Sequence, residues 1–132
     1  MKKGVTLIEL LAVLAVLGII AVIVIPQVAE TLNNSREVAL EKQIHVLKTA
    51  TEKWGNEHLE ELPAVDSSEI VSVDFETLYI DGEITSYPVD NPKDGGNLNG
   101  CILISYNSQY RQYEYKYSDN TNYCNNYSYK NK

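Results

Sequence analysis

The sequence predicts an α+β protein in which a long N-terminal helix precedes a small antiparallel sheet. Three patterns support this prediction. Residues 5–25 form an apolar run with one charged member. Apolar and aromatic residues then recur at helical spacing as far as residue 58. Residues 112–117 alternate between polar and aromatic side chains, as in a half-buried strand.

The apolar run is long enough to cross a membrane as one helix. Its 21 residues would span about 31 Å at ~1.5 Å per residue, close to the thickness of a hydrocarbon core. Lys2 and Lys3 precede it, so the positive-inside rule places the N-terminus in the cytoplasm. A secretory signal would have a shorter run and a cleavage site of small residues, and no convincing site follows Pro26.

Glu9 is the one charged residue inside the run. A carboxylate deep in lipid costs about 2.5–3.5 kcal/mol on insertion scales, so such a residue suggests a function. One interpretation is that Glu9 lies a single turn from the helix end and is hydrated at the interface. The other is that it pairs with a cation of another chain. If the chain were cut after Gly4, the new amine of Val5 would be such a cation.

Residues 1–32 resemble the class III signal of type IV pilins and pseudopilins. The features that carry the resemblance are the short basic leader, Gly4 before the cut, the run Thr-Leu-Ile-Glu that follows Val5, Gly18, and Pro26 at the end of the apolar run. The resemblance implies that prepilin peptidase removes the leader, residues 1–4, and N-methylates Val5. It also implies that Glu9 pairs with a neighbouring subunit. Val5 stands where the family usually has Phe, although other apolar residues occur there.

By the same resemblance, residues 5–26 form a transmembrane and polymerisation helix. Gly18 and Pro26 are weak points in it, because glycine has low helix propensity and proline removes a backbone hydrogen bond. Both residues are also common in membrane helices. They therefore either have no special role or allow the helix to unwind locally when subunits pack in a filament.

Residues 27–62 are predicted to continue the helix as an amphipathic half. One face carries Leu40, Ile44, Leu47, Thr51, Trp54 and His58, and we expect it to pack on the sheet. Pro63 and the acidic pair before it predict that the helix has ended by Leu62. His45 lies off this face, and its distance along the chain from His58 is unlike the spacing of paired zinc ligands.

Residues 63–100 are predicted to connect the helix to the sheet, with two short elements. Residues 69–74 alternate weakly, and residues 75–80 suit either a helix or a strand. Residues 87–96 have loop composition. Asp90 and Asp94, with Asp119, could bind calcium as in some pseudopilins, but their spacing matches no established calcium loop. A turn-forming role is therefore favoured.

Residues 101–132 are predicted to form the antiparallel sheet and a C-terminal tail. Strands at 101–106 and 112–117 make a hairpin that places Tyr113, Tyr115 and Tyr117 on one face. The tail is rich in Asn and Tyr. These tyrosines suit either half-buried packing or a subunit-contact surface.

Cys101 and Cys124 are the two cysteines of the chain. If the N-terminus is cytoplasmic and residues 5–25 span the membrane, both lie outside the cytoplasm, where a disulfide is permitted. The alternative is two free thiols. The resemblance supports a bridge, since many pilins hold a C-terminal loop in this way. Such a bridge would stabilise the fold by about 3 kcal/mol on the loop-entropy estimate.

The charges are unevenly distributed. Residues 27–100 carry 15 acidic and 5 basic residues, a net charge of −10, and residues 101–132 carry 2 and 4, a net charge of +2. The two regions could complement each other between stacked subunits, or they could serve solubility alone. The acidic balance argues against direct binding of nucleic acid. The sequence contains neither a nucleophile-elbow, a zinc-protease nor a phosphate-loop motif, so we expect no enzyme, cofactor or metal site.

The expected function is that of a structural filament subunit. Its partners would be copies of itself, membrane lipid before assembly, prepilin peptidase, and the assembly machinery with its minor pilins. The precursor would lie in the cytoplasmic membrane and the filament at the cell surface. A pilin for adhesion, motility or biofilm, a secretion pseudopilin and a competence pseudopilin all fit. A membrane-anchored binding module that never polymerises is the rival class, and it predicts a retained leader.

Overall fold

The structure is a computed structural model, and it describes residues 4–128. Its elements are helix α1 (Leu7–Glu57), a 3-10 turn (Leu59–Glu61), strand β1 (Ile70–Asp74), helix α2 (Phe75–Ile80), strands β2 (Cys101–Asn107) and β3 (Gln112–Ser118), and helix α3 (Thr121–Asn126). The chain divides into two compact units, Met1–Val38 and Ala39–Lys132. The predicted layout of a long helix and a small antiparallel sheet is confirmed.

Helix α1 has 51 residues and continues through both Gly18 and Pro26. In its N-terminal part, Leu7 to Leu32, every large apolar side chain is exposed. By length and composition this helix could cross a membrane, and it is the one such helix in the described part of the chain. The predicted apolar segment is therefore helical, and its side chains are not used to fold the chain on itself.

The C-terminal part of α1 supplies one side of the core. Leu47, Thr51 and Trp54 are buried, as the helical spacing predicts, and Leu40 and Ile44 pack against the same core while half-buried. The Thr51 hydroxyl donates to the carbonyl of Leu47 at 2.8 Å, so a polar group is buried with its hydrogen bond made inside the helix.

The opposite side of the core is a three-stranded antiparallel sheet in the order β1-β2-β3. The predicted hairpin is β2 and β3, in which Ile104 lies opposite Tyr115. Ile102 and Ile104 are fully buried, and the three alternating tyrosines of β3 pack against the core. Burial raises the pKa of the Tyr115 hydroxyl above its usual value.

Strand β1 coincides with residues 69–74, the weakly alternating element that was predicted within the connecting region. It pairs with β2, with Val73 opposite Ile102. Val71, Ser72 and Val73 are all buried, because both faces of the sheet are covered at this point. The sheet is thus larger than the predicted hairpin.

Two short helices complete the fold. Residues 75–80, for which the sequence left helix and strand open, form α2, because the Asp74 side chain caps it by accepting from the Thr77 backbone N–H at 2.9 Å. The tail carries no predicted element, yet α3 begins after Asn120, whose side chain accepts from the Asn122 N–H at 3.0 Å. The Ser72 hydroxyl donates to the carbonyl of Cys124 in α3 at 2.6 Å, which holds α3 against β1.

Trp54 should be the most costly single truncation in this core. Its side chain is fully buried and its ring N–H donates to Asp81 at 2.8 Å. We expect Trp54→Ala to lower the free energy of unfolding by about 3–5 kcal/mol. Urea unfolding of the detergent-solubilised chain, followed by tyrosine near-ultraviolet circular dichroism, measures this. Val46→Ala, at an exposed position of the same helix, is the control and should change stability by less than about 0.5 kcal/mol. Equal effects of the two variants would contradict the assigned core.

Candidate functional site

The segment around Gly4 and Val5 lies outside the helix and is exposed. Residues 4–6 have no helical structure, and Val5 is 73% exposed. A Cβ built on Gly4 would meet no atom within 4 Å. The peptide bond between Gly4 and Val5 therefore lies outside the helix, in an exposed part of the chain. Lys2 and Lys3 lie outside the described residues.

Thr6 and Glu9 cap the start of α1 reciprocally. The Glu9 backbone N–H donates to Thr6 Oγ1 at 3.2 Å, and the Thr6 N–H donates to Glu9 Oε2 at 3.1 Å. The Leu10 N–H donates to the carbonyl of Thr6 at 3.1 Å, so Thr6 occupies the N-cap position. This is the capping box, in which Ser or Thr is followed three residues later by Glu or Gln.

The capping box fixes where the Glu9 carboxylate lies. It lies at the first turn of the helix and accepts from the backbone N–H of Thr6, the residue that follows Val5. A carboxylate has about four acceptor positions, and the Thr6 N–H uses one of them. Glu9 can therefore cap its own helix and still accept from a cation of another chain. Sequence reasoning missed the cap, although Thr-x-x-Glu before an apolar run is its signal.

Gly18 and Pro26 both lie inside the continuous helix. No atom lies within 4 Å of a Cβ built on Gly18, so its missing side chain leaves an open position on the helix surface. A shallow groove of about 280 Å³ lies on the same apolar stretch, lined by Ala12, Val13, Val16 and Leu17. At Gly18 and along this groove, another helix could approach α1 closely.

Cys101 and Cys124 are joined in a disulfide with their sulfur atoms 2.04 Å apart. The bond ties α3 to the first residue of β2.

Asp90 and Asp94, for which a turn-forming role was favoured over calcium binding, lie in a turn. Asp94 Oδ1 accepts from the Gly96 N–H at 2.8 Å, and Asp90 pairs across the turn with Asn97.

A small polar cluster lies where α1 ends. His58 stacks on Trp54 with ring centroids 4.6 Å apart, and its Nε2 lies 3.8 Å from Asp81. Nearby, the Lys53 amine lies 3.6 Å from the carboxylate of Glu83, whose side chain is only 3% exposed. Burial raises the pKa of the Glu83 carboxyl. These contacts join the residues after α2 to α1.

The described residues hold no group of three or more His, Cys, Asp or Glu side chains placed to bind a metal ion. His45 lines a groove beside β3, and His58 belongs to the polar cluster at the end of α1. The structure does not bring the two histidines into one group.

Comparison with known families agrees with the N-terminal geometry. Residues 1–25 match the model of the prokaryotic N-terminal methylation motif. The chain carries a class III prepilin signal. This confirms the resemblance drawn from Gly4, Glu9 and the apolar run over those residues, and the family it points to consists of structural subunits. No curated protein and no solved structure matches the chain.

The cap predicts a measurable local effect. Thr6→Ala removes the side-chain acceptor, and caps of this kind contribute about 1 kcal/mol, so the amide of Glu9 should exchange with solvent roughly fivefold faster. Thr6→Ser keeps the hydroxyl and should leave exchange unchanged. Hydrogen exchange measured by NMR in detergent micelles compares them. Equal protection of the Glu9 amide in both variants would show that Thr6 does not cap the helix.

Proposed function

We propose that this protein is the structural subunit of a type IV pilus or pilus-like filament. The observation that carries the proposal is the combination of a prepilin signal with a helix whose apolar side chains are all exposed over its N-terminal part. A membrane would cover those side chains in the precursor, and the same stretch of other subunits would cover them in a filament.

Processing would take place at the exposed bond between Gly4 and Val5. Prepilin peptidase would cut there and methylate the new amine of Val5. With Lys2 and Lys3 ahead of the span, the cut would lie on the cytoplasmic side of the membrane. Cleavage would remove the charged side chains of Lys2 and Lys3 and leave the new amine of Val5 beside the apolar helix.

Assembly would neutralise that amine with Glu9 of a neighbouring subunit. The capping box holds the Glu9 carboxylate at the start of the helix, where such an amine would arrive. Transfer of an amine and a carboxylate out of water costs less free energy when the two are paired than when either is buried alone. Removing one partner of a buried pair costs about 3–5 kcal/mol. The pair would therefore also set the register between neighbouring helices.

Close packing would supply the rest of the association, because lipid and neighbouring helices are equally apolar. Gly18 allows a close approach. We propose that the helix between Gly18 and Pro26 unwinds as subunits pack, since both residues weaken it. The assembly machinery would extract the subunit from the membrane, and the filament would extend from the cell surface.

Gly4→Val tests the processing step. The open space around Gly4 in this chain leaves room for a side chain, so the substitution should leave the fold intact and obstruct only the peptidase. We expect the variant to keep its leader and to begin at Met1, as read by mass spectrometry of the membrane-extracted chain. Gly18→Ala, at an equally open glycine within α1, is the control and should be cut normally. Recovery of Gly4→Val with Val5 as its first residue would refute the assigned site.

Glu9→Gln separates the charge of Glu9 from its cap. Glutamine also serves at this position of a capping box, so the helix start is kept while the negative charge is lost. We expect normal cleavage but a severe loss of sheared filament, because the Val5 amine would be left uncompensated. Glu30→Gln, at an exposed acid of α1 outside the cap, should assemble as the wild type does. Normal filament yield from Glu9→Gln would contradict the ion pair.

A further inference from the structure

The two edges of the sheet differ in whether another segment of the chain covers them. The outer edge of β1 is covered, because the Ser72 N–H donates to the carbonyl of Tyr127 at 2.8 Å and Ser72 pairs with Ser128. Strand β3 is the other edge, and nothing within residues 4–128 forms a fourth strand beside it. A free strand edge presents unpaired N–H and C=O groups that can pair with another strand.

Open space borders this free edge. A groove of about 400 Å³ lies between β3 and the C-terminal part of α1, lined on the helix side by His45, Lys48, Thr49 and Glu52. On the strand side it reaches from Gln112 to Lys116. The position next to β3 is therefore accessible to an added strand.

The side chains of β3 follow a self-complementary order. Tyr113, Tyr115 and Tyr117 pack against the core, whereas Glu114 and Lys116 are exposed on the opposite face. Tyr115 stands between the acid and the base. When the strand is reversed about Tyr115, Lys116 takes the position of Glu114 and Glu114 takes the position of Lys116.

We propose that β3 pairs antiparallel with β3 of a second copy of this chain, about a two-fold axis at Tyr115. Tyr115 would face its own counterpart, and Glu114 of each copy would face Lys116 of the other. Opposite charges and aromatic pairs directly across an antiparallel ladder stabilise it. The contact uses the same residues on both copies, so it closes with two chains.

The charges select this register over its neighbours. Moving the two-fold axis to Glu114 sets two carboxylates opposite each other, and moving it to Lys116 sets two ammonium groups opposite each other. A shift of the pairing by one residue would place tyrosines opposite charges and turn the partner's apolar face to solvent. The register about Tyr115 alone makes two opposite-charge pairs and keeps the tyrosines of both copies on one face.

The proposal does not depend on filament formation, because it uses the edge of the sheet and not the N-terminal helix. Its test therefore uses full-length chains that also carry Gly4→Val, isolated in mild detergent. Pairing in such precursors owes nothing to cleavage or assembly. Failure of the filament proposal would leave the result of this test unchanged.

Charge exchange between two variants tests the register. Glu114→Lys alone and Lys116→Glu alone each set like charges opposite each other, and we expect each to lower the dimer association constant on the order of tenfold, measured by sedimentation. Their one-to-one mixture restores both opposite-charge pairs and should dimerise as the unaltered sheet does. Glu76→Lys, at an exposed acid of α2, is the control for charge reversal and should leave dimerisation unchanged.

A zero-length carbodiimide cross-link then identifies the contact. In the mixture, neither chain has both an acid and an amine at positions 114 and 116, so any link between these positions joins two chains. We expect linked peptides that connect position 114 of one chain to position 116 of the other. The proposal is overturned if the mixture gives no such link, or if either variant alone dimerises as well as the unaltered sheet. Formation of the Cys101–Cys124 disulfide in each variant checks that it folds.

Discussion

The apolar side chains in the N-terminal part of α1 must be removed from water, and the chain does not bury them itself. They are exposed along the whole stretch from Leu7 to Leu32. Burial of apolar surface contributes roughly 25 cal/mol per Å². A stretch of this length is therefore stable only where another apolar surface removes it from water. A bilayer and a bundle of identical helices both provide one. Exchange of one cover for the other is the physical basis of the proposed function.

In the proposed function, Glu9 would make that exchange selective. An uncharged apolar helix would gain little on leaving lipid for a neighbouring helix, because both are apolar. A charge held inside the apolar stretch changes the balance, since it favours a partner that brings the opposite charge. The capping box places the carboxylate at the helix start. The proposed partner, the amine of Val5, would exist only after the leader has been removed, and processing would in this way precede assembly.

The part of the chain from Ala39 onward is stabilised by different means. The buried face of α1 around Leu47 and Trp54 packs with a sheet of only three strands. So small a sheet can bury little on its own. The disulfide compensates by linking α3 to β2, and the Ser72 hydrogen bond to Cys124 holds α3 on β1. The covered edge of β1 and the open edge of β3 both follow from this arrangement of the C-terminal residues.

The sequence predicted the features that depend on periodic apolar residues or on a short motif. The helical face at Leu47 and Trp54, the hairpin of β2 and β3, and the prepilin signal all carry such patterns. Strand β1 was predicted only as a weakly alternating element of the connecting region, because a strand of five residues carries a weak pattern and its pairing with β2 is a long-range contact. Helix α3 was missed because it is short, polar and dependent on long-range contacts. The capping box has a sequence signal of its own, Thr6 followed three residues later by Glu9.

Mass spectrometry of the N-terminus of the unaltered chain, taken from membranes and from any extracellular filament, distinguishes a processed filament subunit from an anchored protein. A processed subunit would begin at Val5 with a methyl group on its amine in both fractions. A chain that begins at Met1 and is confined to the membrane would contradict the proposed function. That result would favour an anchored protein that does not polymerise.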